Sequence, residues 1–472
     1  MKNSLRYILF ALISITAACR VGEKYQRADL KLPDQYRGSA APAADTTNIA
    51  AISWKSFFPD PQLSALIEKA VARNMDLRSA LKRLEIAGAQ LKQARVLNVP
   101  ELNTSVYAET SRPSKNSLNG LSTNSFLGTN HIETYTANAN LSWEADIWGR
   151  LSHQKEAALA GYLQSAEAAK AVQTQVVANV VDAYYNLLMF DRQLQIAHRN
   201  VALSDSTLRF TQLLRNAGET TTLAVQQASA QKQATEQLIP QLEQNIVLQE
   251  NALQILTGDY PGGIQRAREV QAFTVPDDPL PGGVPANLLQ HRPDVKAGEQ
   301  AVIRANAQAG SAKANMYPAL TITAGTGLAS FKASNWFSIP GSVFGLAAGS
   351  LVQPVFQRRA LKTQYETAKL ERDDREIRFK QTVLTAVGEV SDALTELDKL
   401  KEQDRIVTGQ VDTLNRAVTN ARLLFRNGMA NYLDVIVAQT SALQSQLNEM
   451  TIRKQRYSAR VKLYRALGGG WN

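Results

Sequence analysis

Cysteine, histidine and methionine are all scarce in this chain of 472 residues, which has one cysteine, four histidines and six methionines. A single cysteine excludes an internal disulfide bond. The histidines show no spacing typical of metal ligands; they are His131, His153, His198 and His291. The sequence therefore predicts neither a metal centre nor a cofactor, apart from a lipid on the cysteine discussed below.

The chain also lacks a block of basic residues. Its net charge of +10 comes from 52 Lys and Arg against 42 Asp and Glu. These basic residues are spread along predicted helices among acidic ones, which is typical of a solvated helical surface. We therefore expect no nucleic-acid partner.

Motifs of the common enzyme classes are missing as well. The sequence contains no GxSxG, no HExxH and no phosphate-binding loop, and the glycines of "AGTGLAS" (324–330) lie in a predicted strand. We expect that the protein is not an enzyme.

Proline is absent between Gly149 and Ala217 and again after Pro354. Nothing in these stretches forces a helix to stop, and ~68 residues of helix would reach ~100 Å. Apolar or small residues follow a heptad pattern in both stretches, as in a coiled coil. They include Val176, Val180, Ala183, Leu187 and Ser204 in the first, and Val383, Val387, Val390, Leu394 and Val407 in the second.

Two segments of the chain follow one plan. "DLRSALKRLEIAGAQLKQARVLNVPEL", from Asp76, aligns with "DVKAGEQAVIRANAQAGSAKANMYPAL", from Asp294. Both have a helical composition and end near a proline, Pro100 in the first and Pro318 in the second. This pattern predicts two internal structural repeats.

A β-hairpin is predicted after each of these prolines. "ETYTANANLSWEADIW", from Glu133, alternates apolar with small polar residues, which predicts a long two-faced strand. The first hairpin spans about 101–147, with a loop from Pro113 to Asn130; the second spans about 319–356. An apolar face opposite a small polar face is typical of a membrane barrel, although a soluble sandwich is the alternative. Because four strands cannot close a barrel and lipid does not tolerate open edges, several chains must contribute.

The fold class predicted is mainly α with a membrane β-barrel, and a cytoskeletal coiled coil would not explain the hairpins. We expect a kink at Pro240 and a Pro- and Gly-rich connector between the repeats. The predicted segments are a signal peptide (1–18), an N-terminal segment (19–60), repeat 1 (61–257, with long helix 149–216 and returning helix 220–257), a connector (258–285), repeat 2 (286–467, with long helix 358–427 and returning helix 431–467) and a C-terminal tail (468–472).

The N-terminus carries an export signal. "MKNSLRYILFALISITAAC" has Lys2 and Arg6, then a short apolar run, then small residues before Cys19. A cysteine after "TAA" resembles a bacterial lipoprotein box, in which the thiol is acylated and becomes the first mature residue. Arg20 is not the Asp that retains such proteins at the inner membrane, and Thr16 stands where the pattern prefers Leu. A plain cleavable signal is the alternative.

Several motifs together resemble one family. They are "CRVGEKYQRADLKLPDQYR", "WKSFFPDPQLSALIEKAV", "SWEADIWGR", "LLQHRPDVKAGEQ", "MYPALTITAGTG", "QPVF" and "FRNGMANYLDV". The chain resembles the outer membrane factor (TolC-like) efflux proteins, in their lipoprotein (NodT-type) branch. The resemblance implies a homotrimer in the outer membrane of a Gram-negative bacterium, with a twelve-stranded barrel and a coiled-coil helical tunnel across the periplasm.

The same resemblance implies a passive duct that exports small molecules such as drugs. Its partners would be a periplasmic adaptor (membrane fusion) protein and an inner membrane pump of the resistance-nodulation-division type. A type I secretion duct and a structural or adhesive coiled-coil surface protein are the alternatives.

The resemblance also assigns roles to two glycine turns. The first, an adaptor-docking tip, contains Arg215, Gly218, Glu219, Thr220 and Thr221, and the second contains Arg426, Gly428, Met429 and Asn431. The periplasmic gate would consist of Asp434, Phe425, Val437 and Arg426, with Asp434 in an acidic ring. Val437 replaces a second Asp of some members, and Phe425 replaces an aromatic residue with a hydroxyl group. Ordinary helix caps are the alternative for the glycines, as is a helix N-terminal acid for Asp434.

Overall fold

A computed structural model describes residues 21–27, 29–37, 52–266, 275 and 284–471. The predicted signal peptide, Cys19 and most of the connector lie outside the described residues. Those that are described fall into two units. The first comprises parts of Met1–Ala28, Glu85–Leu163 and Glu299–Ile377, and the second comprises parts of Asp29–Leu84, Gln164–Gly298 and Arg378–Asn472.

Helices make up most of the chain. In order they are α1 (Trp54–Phe57), α2 (Pro61–Arg73), α3 (Met75–Arg95), α4 (Leu118–Leu127), α5 (Arg150–Asn216), α6 (Thr222–Glu236), α7 (Leu238–Leu256), α8 (Leu288–His291), α9 (Pro293–Ala314), α10 (Ala360–Arg426) and α11 (Tyr432–Ala466). The two long helices α5 and α10 have 67 residues each. No helix in the described part of the chain is both long and apolar enough to cross a membrane.

The first unit contains one four-stranded antiparallel sheet. Its strands are β1 (Glu101–Ser111), β2 (Ile132–Ala145), β3 (Ala319–Ser330) and β4 (Val343–Val352), in the spatial order β1-β2-β3-β4. The two hairpins join through β2 and β3, where Asn140 pairs with Gly325. Within the described residues, β1 and β4 each pair with one strand only.

The connection between β1 and β2 differs from the prediction. The segment Pro113 to Asn130 was expected to be a loop, but it contains helix α4. Leu118 is 86% exposed and Phe126 is 88% exposed. The apolar residues of this segment do not follow a helical period, which is why the pattern did not reveal the helix.

The returning helix of the first repeat is also divided, into α6 and α7, which meet at Gln237. This division lies close to the kink expected at Pro240 in the predicted helix 220–257. Pro240 has no amide hydrogen to donate to the carbonyl of Glu236, and its ring crowds that residue. The break consequently falls one turn before the proline.

Asp60 and Tyr184 organise the core of the second unit. Asp60 caps α2, because its Oδ1 accepts from the amides of Gln62 and Leu63 at 2.8 and 3.2 Å. Its Oδ2 accepts a hydrogen bond from the hydroxyl of the fully buried Tyr184 at 2.7 Å. Leu63 and Leu187 are fully buried as well. One carboxylate thus fixes both the start of α2 and a tyrosine in the middle of α5.

Arg292 holds the second repeat together in the same unit. Its side chain is 9% exposed, and its guanidinium group bonds to Asp294 at 2.8 Å, to Glu389 of α10 at 2.5 Å and to the carbonyl of Ala466 at 3.1 Å. Burial lowers the pKa of Arg292, but its bonds with the two carboxylates outweigh this effect and raise the pKa overall. The arginine of the "RPDV" motif thus joins three helices.

Candidate functional site

The two predicted tips are built by identical backbone hydrogen bonds. At the first, the amide of Gly218 donates to Arg215 at 3.0 Å and that of Glu219 donates to Leu214 at 2.9 Å. At the second, Gly428 and Met429 make the same pair of bonds at 3.1 and 2.9 Å, to the carbonyls of Phe425 and Leu424. These are the two bonds of a Schellman motif, which satisfies the last carbonyls of α5 and α10.

Glycine is required in both turns by backbone conformation alone. Gly218 has φ +81° and Gly428 has φ +72°, in the left-handed region that L-residues avoid. No atom lies within 4 Å of a Cβ built at either position. Neither turn is therefore crowded by its neighbours.

The helices that return from the tips are capped by different side chains. Thr221 Oγ1 accepts from the amide of Ala224 at 3.3 Å. Asn431 Oδ1 accepts from Leu433 and Asp434 at 2.8 and 3.1 Å, while Asp434 Oδ2 accepts from the amide of Asn431 at 3.0 Å. The second tip thus has a capping box in which an acid takes the place of Glu or Gln, and the first has a single cap.

Most of the predicted docking residues lie on the surface. Arg215, Gly218, Glu219, Thr221, Gly428 and Asn431 are exposed, as is Met429 at 68%. Only Thr220 is half-buried. Apolar side chains extend the exposed surface of each tip, and sequence reasoning did not include them: Leu213 and Leu223 at the first, and Leu423, Leu424 and Leu433 at the second.

The structure separates the predicted gate residues into two groups. Asp434 and Arg426 are exposed, and Val437 is 63% exposed. Phe425 is buried against Phe210 of α5, with ring centroids 5.2 Å apart and planes at 84°. Phe425 therefore packs the two long helices together just before the second turn.

Polar contacts also tie the two tips and their helices. The hydroxyl of Tyr432 donates to Gln227 of α6 at 2.5 Å, next to the second cap. Between α5 and α6, Lys232 lies 2.9 Å from Asp205, which also pairs with Arg209 of α5 at 2.8 Å. The hydrogen bond with Lys232 and the nearby positive charges lower the pKa of Asp205. Sequence periodicity does not reveal the pairs Tyr432–Gln227 and Lys232–Asp205, since their partners lie on different helices.

Near the tip, α5 buries a row of polar side chains, of which Ser204 alone lies on the heptad pattern predicted from the sequence. Asn200, Ser204, Thr207 and Thr211 are all buried. Gln439 of α11 donates to Thr207 at 3.0 Å, and Asn200 donates to Gln446 at 3.1 Å. The heptad pattern predicted a contact face here, but it did not distinguish a polar face from an apolar one.

The sheet has two open edges, and the two long helices reverse at matched turns. Together these features define a class of channel proteins that combine membrane strands with helical hairpins. A model of the outer membrane efflux protein family matches residues 66–259 and 284–469. The chain belongs to this family.

Relatives and a solved structure agree with this assignment. The chain is 28% identical over 465 residues to the cation efflux system protein CusC of Escherichia coli O6:H1, with 98% of each chain covered. It is 28% identical over 473 residues to the probable outer membrane lipoprotein SilC of Salmonella typhimurium, with 99% of each covered. A crystal structure of CusC matches with a TM-score of 0.85 and 27% identity, covering 96% of this chain and 100% of its own.

The family recognition, the fold class and the outer membrane location predicted from the sequence are confirmed. The protein is an outer membrane channel of an efflux system.

Proposed function

We propose that three copies of the chain form the passive exit duct of a tripartite efflux system and that the duct catalyses no reaction. The open edges of the sheet carry this proposal. The four strands alternate in direction, so β4 of one copy can pair antiparallel with β1 of the next, and the ring stays antiparallel when it closes. Strands of 11, 14, 12 and 10 residues are long enough to cross a bilayer. A closed ring removes the edges that lipid would not tolerate.

We propose that the two tips dock a periplasmic adaptor, which connects the duct to an inner membrane pump of the resistance-nodulation-division type. The exposed residues of both tips support this role, because they combine apolar side chains with a few charges, as docking surfaces do. Met429, which is flexible and 68% exposed, and Leu424, which is 42% exposed, offer apolar contacts at the second tip.

We propose that Asp434 also forms an acidic ring at the gate, together with Arg426, Phe425 and Val437. Its role in the capping box does not prevent this, because the cap occupies one carboxylate oxygen and the side chain stays exposed. Three such carboxylates around one narrow pore would attract cations and repel anions. Asp434 thus has an observed role in capping α11 and a proposed role in the gate.

Lipidation of Cys19 is part of the same proposal. The name of SilC, a probable outer membrane lipoprotein, supports it. Expression in cells fed radiolabelled palmitate should label the wild-type protein, and Cys19→Ser should abolish the label. Persistent labelling of that variant would rule out Cys19 as the acylation site.

The export function is tested by deleting the gene and measuring sensitivity to dyes, bile salts, antibiotics and soft metal cations, with and without plasmid complementation. We expect greater sensitivity that the wild-type plasmid reverses. Sensitivity to organic compounds alone would indicate an organic cargo, whereas sensitivity to copper or silver alone would indicate a cation, as the name of CusC suggests for that relative. Unchanged sensitivity to every compound, even with the cognate pump overexpressed, would contradict the duct and favour a surface role.

A further inference from the structure

The residues that follow the predicted lipidation site form a strap, residues 21–27, across the first unit. The amide of Val21 donates to the carbonyl of Trp148 at 3.1 Å, and Asn306 of α9 donates to the carbonyl of Glu23 at 2.9 Å. At the far end, Arg27 forms two bonds to Glu299 of α9, at 2.6 and 2.7 Å. The strap is therefore held at both ends.

The imidazole of His153, on α5, closes the first of these attachments. Its Nε2 lies 2.8 Å from the carbonyl of Val21, and since a carbonyl can only accept, Nε2 carries the proton. The ring is 4% exposed and fits between two glycine backbones. A Cβ built on Gly22 would lie 2.7 Å from Nε2, and one built on Gly310 would lie 2.7 to 2.8 Å from three ring atoms.

Both glycines are therefore needed for the ring to occupy its place. Gly22 also has φ +136°, which L-residues rarely adopt. Gly310 lies inside α9, where alanine would normally be the better helix former by about 1 kcal/mol. Its presence in a helix interior is explained by the close approach of the His153 ring.

We infer that His153, Gly22 and Gly310 form a lock that fixes the depth of the lipid anchor relative to the membrane strands. The inference rests on the proposed acylation of Cys19. Cys19 precedes Val21 by two residues, so it can lie no more than about 7 Å away. Val21 is bonded to Trp148, just beyond the end of β2 at Ala145. The predicted acylation site is thus two residues along the chain from a segment that is bonded beside the end of the sheet.

The lock adds a steric constraint on register to the hydrogen bonds that hold the strap. Arg27, which pairs with Glu299, has a side chain that is 48% exposed, and exposed ion pairs contribute little. A slip of one residue along α9 would move the anchor by about 3.3 Å against the strands. The ring of His153 fits one register only, because residues on either side of Gly22 carry a Cβ.

A double-mutant cycle tests the lock. Wild type, Gly310→Ala, His153→Ala and the double variant are assembled in detergent, and trypsin cleavage at Lys24 inside the strap is followed by mass spectrometry. We expect Gly310→Ala to speed cleavage by about tenfold or more when His153 is present, and by less than about twofold when it is absent. Gly161→Ala serves as the control. Gly161 lies in α5, as His153 does, and a Cβ built there meets its nearest atom at an ordinary 3.7 Å. It should leave the rate unchanged.

An equal effect of Gly310→Ala in both backgrounds would overturn the lock, and so would no effect in either. If Gly310→Ala fails to assemble, restoration of assembly by adding His153→Ala supports the lock, and continued failure overturns it. Cleavage at Lys24 does not require the lipid. Absence of palmitate labelling from the wild-type protein would therefore refute the anchoring role, while the cycle would still report on the lock.

Discussion

The two long helices have the same length and end in the same turn, yet they bury different chemistry near their tips. Toward its tip, α5 buries Asn200, Ser204, Thr207 and Thr211, whereas α10 buries Val407, Val411, Val418 and Phe425. Hydrogen-bonded groups are satisfied in one arrangement, while apolar groups tolerate several. Duplication thus preserved the backbone plan, and the two copies hold their neighbour α11 by different forces.

A substitution in the apolar contact between α10 and α11 should give the largest effect on stability. Leu400 of α10 is 6% exposed and packs in a cluster with Val407, Ile452 and Ala459. Leu400→Ala should cost about 2–5 kcal/mol, because it leaves a cavity. The measurement is the midpoint temperature of unfolding of the assembled protein. Lys399→Ala, with a side chain 61% exposed, should change stability by less than about 0.5 kcal/mol. Similar losses in both would mean that α10 and α11 are not held by this cluster.

The polar contact between α5 and α11 can be removed by one substitution and compensated by a second. Thr207→Val removes the nearer acceptor of the buried Gln439 side-chain amide, at 3.0 Å, and leaves it the carbonyl of Leu203 at 3.5 Å, so it should cost about 1–3 kcal/mol. Adding Gln439→Leu should recover most of the loss, since both polar partners are then gone. Thermal unfolding of the two variants and of Gln439→Leu alone completes the cycle. If the double variant loses the sum of the single losses, the contact is not a coupled pair.

The caps allow a sharper test of the second tip, because its acid can be neutralised without removing an acceptor. Asp434→Asn retains an oxygen for the Asn431 amide, so it should keep the cap while lowering the cation preference of the pore. Asp434→Ala should lower the preference equally and also lose about 0.5–2 kcal/mol of stability. Single-channel conductance and ion selectivity in planar bilayers, with thermal unfolding alongside, separate the two effects. Wild-type selectivity in both variants would limit Asp434 to capping.

Glu449 is an acidic residue among the contacts of α11, and we expect its substitution to have the smallest effect on stability. Its carboxylate accepts from Thr408 at 3.2 Å and pairs with Arg453 at 2.6 Å, and burial raises its pKa above the ordinary value. A raised folded-state pKa favours the protonated form, so this contribution is present at low pH and is lost as pH rises through the folded pKa. The stability of wild type relative to Glu449→Gln should therefore fall as the pH rises through the range in which this carboxyl group ionises. A flat difference, measured by thermal unfolding across that range, would contradict the raised pKa.

The sequence predicted those features that depend on neighbours along the chain. The alternation from Glu133 predicted β2, the missing prolines predicted α5 and α10, and each turn glycine has a positive φ that the chain reversal requires. Features that depend on distant partners were missed. Arg292 bonds to Glu389 and Ala466, and no local pattern reports either contact. The short helix α4 was missed because its apolar residues do not follow a helical period.

The open space around Gly218 and Gly428 has a consequence for how such a protein can change. Each turn is closed by its own backbone bonds, and no atom lies within 4 Å of a Cβ built on its glycine. The exposed side chains beside these glycines, such as Glu219 and Met429, can therefore be exchanged without repacking the turns. A duct of this design can acquire a new docking partner through substitutions at its ends, while the helices that carry those ends stay as they are.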